Sequence, residues 1–104
     1  MYKPEYLPAA RRDLIEIANY VSITLKNRSA AERLASKLVT AIEKTAGFPY
    51  ANPAYIPVRP LLHEYRKLLV ENYMVFYWVD ESQKCITVAR VIYARSDYDT
   101  RIES

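Results

Sequence analysis

The sequence predicts an α+β fold: an N-terminal strand and an antiparallel helical hairpin packed on a C-terminal antiparallel sheet of three to four strands. Three observations carry this expectation. From about Ala9 to Ala46 apolar residues recur every three or four positions, the period of a helix with one buried face. From Tyr65 onward the pattern turns β-branched and aromatic, as half-buried strands require. Between the two, Phe48–Pro60 contains four prolines, which forbid regular structure over most of that stretch. A chain of 104 residues, 51% of them apolar, suits one domain with one core, spanning residues 1–104.

Each element has its own signal. Tyr2–Leu7 is a short strand that can join the sheet. Pro8 suits a first helical turn, where its missing N–H costs nothing. Ala10, Leu14, Ile17, Val21 and Leu25 form an apolar stripe that ends at Lys26-Asn27-Arg28. Ser29 and Glu32 have the spacing of a capping box opening the second helix. Ala31, Leu34, Leu38, Ala41 and Ile42 face its core side, and Gly47 is placed to end it as a left-handed C-terminal residue, with Pro49 two beyond. Tyr65–Val70 and Tyr73–Val79 are strands joined by Glu71-Asn72, where Asn72 tolerates positive φ. Asp80–Lys84 is a polar loop. Cys85–Ala94, apolar on both faces, reads as a central strand.

Composition excludes several function classes. The single glycine, Gly47, removes every glycine-rich phosphate loop, so no nucleotide cofactor is expected. One cysteine, Cys85, and one histidine, His63, supply neither a disulfide framework nor a zinc cage. No apolar run reaches the ~18 residues of a membrane span. Residues 1–5 lack the apolar stretch of a signal peptide, and a cytoplasmic location with no membrane partner is expected. The net charge of +3 and ten tyrosines suit a nucleic-acid or acidic-protein partner.

Four segments carry a family resemblance covering nearly the whole chain. Ala10–Tyr20 resembles an A-x-x-D-L-x-x-I-x-x-Y first helix, and Ala41–Pro49 an A-I-x-x-x-x-x-F-P helix exit. Tyr65–Asp80 resembles a central hairpin, and Ala89–Tyr98 a last strand with its exit. In order and spacing these are similar to the RelE/ParE superfamily of toxins from type II toxin–antitoxin modules. The resemblance implies a toxin that inhibits growth and stabilises a plasmid or genome. It also implies a hetero-oligomer with a small cognate antitoxin, whose acidic C-terminal segment neutralises the toxin.

The superfamily holds two chemistries, and fold alone does not choose between them. ParE-like members poison DNA gyrase by binding, without cofactor or metal. RelE-like members are metal-independent endoribonucleases that cut mRNA on the ribosome. A degenerate, non-toxic binding module is a third reading. RNA cleavage by a 2′-OH needs a base, cations for the phosphorane and an acid for the leaving oxygen. Nuclease members place an arginine directly after the aromatic that opens the second strand of the hairpin; here Met74 follows Tyr73, which favours the ParE-like branch. If the chain is a nuclease, Arg95, Lys67 and Tyr98 are its candidates.

For target or antitoxin binding the candidates are Arg66, Lys67, Arg95, Tyr98 and Arg101. Arg66 and Lys67 point to opposite sheet faces. The alternative for Arg95 is a surface pair with Asp97 or Asp99. His63 and Glu64 lack identifiable catalytic partners. Arg90, in an otherwise apolar strand, needs an ion pair or an exposed sheet face. Cys85 is a small strand residue. Of the aromatic cluster Tyr73, Phe76, Tyr77 and Trp78, alternation sends half into the core.

Overall fold

The computed structural model describes residues 2–104; Met1, part of the expected single-domain span, lies outside the described residues. The chain runs β1 (Lys3–Tyr6), α1 (Pro8–Asn19), a π-helical turn (Tyr20–Thr24), α2 (Arg28–Gly47), β2 (Arg66–Val70), β3 (Tyr73–Asp80), β4 (Cys85–Tyr93) and α3 (Tyr98–Arg101). The four strands form one sheet in the order β1-β4-β3-β2. β2, β3 and β4 make the expected antiparallel meander, and β1 joins it in parallel with β4, Lys3 opposite Cys85. The sheet is therefore mixed. β4 and β3 are its inner strands, and β4 is buried on both faces.

The helical hairpin covers one face. Ala10, Leu38, Ile42 and Ala46 meet Val75, Tyr77, Ile86, Val88 and Val91 in the main core. Alternation in β3 sends half of its aromatic cluster to this core, and a second core, on the other face, takes the rest. Tyr65, Phe76, Ala89, Ile92 and Ile102 are buried in it, with Tyr55, Leu61, Met74, Trp78 and Tyr98 packed around them. The proline-rich segment and α3 supply that cover, so Phe76 and Tyr77, on opposite faces, are both fully buried.

Several local expectations are corrected. Asn27, not Ser29, caps α2: its Oδ1 accepts from the backbone N–H of Ala30 at 3.1 Å, and Ser29 lies inside the helix. Gly47 does not adopt positive φ. The left-handed positions are instead Lys26 (φ 52°), Glu71 (φ 54°) and Lys84 (φ 52°), one in each tight connection. Glu71 thus takes the role expected of Asn72. The apolar stripe of α1 stops early, because the π turn shifts its phase and leaves Leu25 exposed while Val21 stays buried.

One buried ion pair joins the layers. Asp13 on α1 accepts from Arg90 Nε at 2.7 Å and Arg90 Nη2 at 2.9 Å, a two-pronged contact. The same carboxylate accepts the backbone N–H of Val91 at 2.9 Å. β1 ends at Tyr6, so β4 has no strand beside Val91, and Asp13 replaces the missing ladder acceptor. Of the two roles open to Arg90, the ion pair is the one found.

Candidate functional site

The residues nominated from the sequence fall at separate places, Arg66 and Lys67 on opposite faces of the sheet. Arg66 is spent on structure: its Nη1 donates to the Asn52 carbonyl at 2.6 Å, and its guanidinium lies 4.9 Å from the Tyr50 ring centre. Glu64 approaches it at 3.9 Å. Lys67 pairs in register with Phe76, and its backbone N–H donates to Pro53. Arg95 is exposed in the turn after β4. Among the described residues it pairs with neither Asp97 nor Asp99, so the expected surface ion pair is not formed. Tyr98 opens α3; its hydroxyl donates to the Ala94 carbonyl, and its ring meets Phe76 edge-on at 5.0 Å. Arg101 donates to Ser96 Oγ at 3.0 Å. Met74 packs against the second core, and His63 stacks flat on Trp78 at 3.7 Å.

Two carboxylates take a role that the sequence does not indicate, Asp99 being expected there only as a surface partner of Arg95. Asp99 and Glu103 lie four residues apart at the C-terminal end, and each accepts from one tyrosine hydroxyl and one backbone amide between residues 55 and 65. Asp99 accepts from the Tyr55 hydroxyl and from the Val58 N–H at 3.0 Å. Glu103 accepts from the Tyr65 hydroxyl at 2.8 Å and from the Leu62 N–H at 2.7 Å. This double latch fixes the segment over the second core. Burial and the Asp99 bond push the Tyr55 hydroxyl up to about 12, and burial with the Glu103 bond raises Tyr65 as well. The i, i+4 spacing was visible in the sequence; its partners, some forty residues away, were not.

On the helical side, a groove of about 510 Å³ runs between α2 and the β2 edge. Arg33, Lys37 and Lys44 line its helical wall, and Leu69, Val70 and Glu71 its sheet wall. Lys37 pairs with Glu71 at 3.2 Å. β2 is an outer strand, and Pro53–Tyr55 covers only its first half through Lys67 and Tyr65. The Lys67 N–H and the Tyr65 carbonyl point away from β3, so by the two-residue alternation the N–H and C=O of Leu69 point outward too, past the end of that cover. The groove therefore joins cations to an open strand edge.

Among the described residues no group of histidine, cysteine or acidic side chains could hold a metal, and no helix is long and apolar enough to cross a membrane. No curated protein matches the sequence. The fold is similar to two solved structures. One is the RelBE2 toxin–antitoxin complex of Mycobacterium tuberculosis, with TM-score 0.64 and 18% identity over 88% of this chain and 96% of that one. The other is the chromosomal ParDE toxin–antitoxin system of P. aeruginosa, with TM-score 0.70 and 16% identity over 91% of this chain and 98% of that one. Residues 5–98 match the sequence profile described as the ParE toxin of the type II toxin–antitoxin system parDE. This chain belongs to the ParE toxin family of type II toxin–antitoxin systems.

Proposed function

We propose that this toxin inhibits DNA gyrase by binding, rather than cutting mRNA, and that a cognate antitoxin neutralises it. The observation that carries the reading is Met74. A thioether packed against the second core stands where nuclease relatives are expected to carry an arginine. Losing one such contact to a developing anion costs roughly 10²–10³ in rate. Tyr98 supports the same reading, since its hydroxyl is already bonded to Ala94. Arg95, exposed and without an ion pair among the described residues, is a cation available to a target. An antitoxin with an extended acidic segment suits the groove between α2 and β2: the open edge at Leu69 offers backbone bonds and α2 offers charge. Neutralisation in this way would serve plasmid or genome stabilisation.

The test is induced expression without antitoxin. Growth arrest with filamentous cells, and gyrase cleavage complexes accumulating in vitro, are the expected outcome. Primer extension on cellular mRNA should show no new codon-positioned 5′ ends. Codon-positioned cuts that disappear with Lys67→Ala or Arg95→Ala would replace this reading with the ribosome-dependent endonuclease. Expression without any growth defect would leave only the binding module.

A further inference from the structure

Six of the ten tyrosine hydroxyls have partners within the protein: Tyr2 and Tyr50 donate to Glu81, Tyr55 to Asp99, Tyr65 to Glu103, Tyr77 to the Pro49 carbonyl and Tyr98 to the Ala94 carbonyl. Among the described residues, Tyr6, Tyr20, Tyr73 and Tyr93 have none. Three of these four line a single cleft of about 410 Å³ between the tip of the helical hairpin and the open ends of β3 and β4. Tyr73 and Tyr93 meet edge to face at 6.0 Å, and Tyr20 lines the same cleft from the hairpin. Tyr20 and Tyr93 are half exposed, at 52% and 46%.

The cleft also contains Arg33 and Asn72, and it shares Arg33 and Glu71 with the groove beside β2. Lys37 neutralises Glu71, whereas Arg33 has no carboxylate partner among the described residues. The combined surface is thus a cationic trough that opens into an aromatic socket. Tyrosines supply large, rigid contact area together with adaptable hydroxyls, at little cost in side-chain entropy.

We propose that this socket anchors a ring-bearing side chain, aromatic or prolyl, of the antitoxin's acidic segment as it leaves the β2 edge. The hydroxyls of Tyr20 and Tyr93 then bond to that segment's backbone carbonyls, and Arg33 to a carboxylate beside the ring. This rests on the proposed antitoxin groove and adds to it the anchor that fixes the segment's register.

The experiment measures the affinity of the toxin for the antitoxin encoded by the adjacent reading frame. Three variants are compared: Tyr20→Ala with Tyr93→Ala, Tyr20→Phe with Tyr93→Phe, and Lys37→Glu with Lys44→Glu. The alanine pair should weaken binding by at least about 10-fold, as for interface tyrosines at anchor positions. The phenylalanine pair, which keeps the rings and cannot unfold the cleft by cavity formation, should weaken it less but measurably. If the charge-reversed toxin binds poorly while both tyrosine pairs bind like wild type, the socket is overturned and the groove stands. If wild-type toxin forms no complex, both are overturned. Single-stranded RNA binding lost in the tyrosine variants, with antitoxin affinity unchanged, would assign the socket to nucleic acid and overturn the proposal.

Discussion

Asp13 and Arg90 show how much one side chain can hold. Their side chains are only 7% and 11% exposed, and Asp13 also serves the Val91 amide. Removing one member leaves a buried charge without its partner, which costs about 3–5 kcal/mol. Asp13→Ala should therefore lower stability by about that much in urea denaturation, and pairing it with Arg90→Met should recover part of the loss. Arg95 is the contrast. Exposed and unpaired among the described residues, it should tolerate Arg95→Ala at a cost of no more than about 0.5 kcal/mol. If it contacts the target, that variant should lose growth inhibition while its thermal midpoint barely moves. The sequence sets the two apart, one inside an apolar strand and one beyond its end, and their burial in the structure sets the size of the effect.

Turns and caps decide the next scale, and here the glycine is in an unexpected place. Gly47 sits in the last turn of α2 without positive φ, and a Cβ added there would meet nothing within 4 Å. Gly47→Ala should raise stability by about 0.5–1 kcal/mol, because alanine loses less backbone entropy on folding. The left-handed turn at Lys26 carries a steric cost of roughly 1–2 kcal/mol that glycine would relieve in part. Lys26→Gly should thus also stabilise, against the usual direction of glycine substitutions. At the start of α2, Asn27→Ala should cost about 1 kcal/mol and Ser29→Ala much less, since Asn27 holds the Ala30 amide. Thermal or urea melts of the four variants would check all of this.

Across the whole molecule, the C-terminal latch sets a pH dependence. Tyr55, raised to about 12, and Tyr65, raised further by deeper burial, both favour the protonated phenol when folded. Their contribution is complete below the ordinary tyrosine value of about 10 and is lost as pH rises through 12. The urea midpoint should fall across that window, and Tyr55→Phe with Tyr65→Phe should flatten the slope. The opposite limb belongs to Glu81, which bonds to Tyr2, Tyr50 and Lys84 and is held down at about 2. Its contribution is present above the usual carboxylate range and disappears as pH falls towards 2. NMR titration should find Glu81 ionised at pH values where the other exposed glutamates are protonated.

The sequence by itself determined the order and nature of the main elements. Periodicity places a hairpin between residues 8 and 47, and alternation with a polar turn places the meander from Tyr65 to Ala94, because both signals are local. It also determined the family, through four segments of fixed order, and narrowed Arg90 to two roles, between which the contact with Asp13 decided. Tertiary structure decided what long-range pairing controls. The proline-rich segment carries no regular pattern, yet, with the residues after it, it roofs a second core, because the Val58 and Leu62 amides are held by Asp99 and Glu103 from the far end of the chain. Arg66, a binding candidate by pattern, is tied to Asn52 and Tyr50. Asn27, not Ser29, is the cap, because α2 already begins at Arg28 and the Asn27 side chain reaches the Ala30 amide. The unpaired tyrosines of the socket share no sequence motif: Tyr20, Tyr73 and Tyr93 come from three elements, and only the crossing of the hairpin tip over the strand ends brings them together.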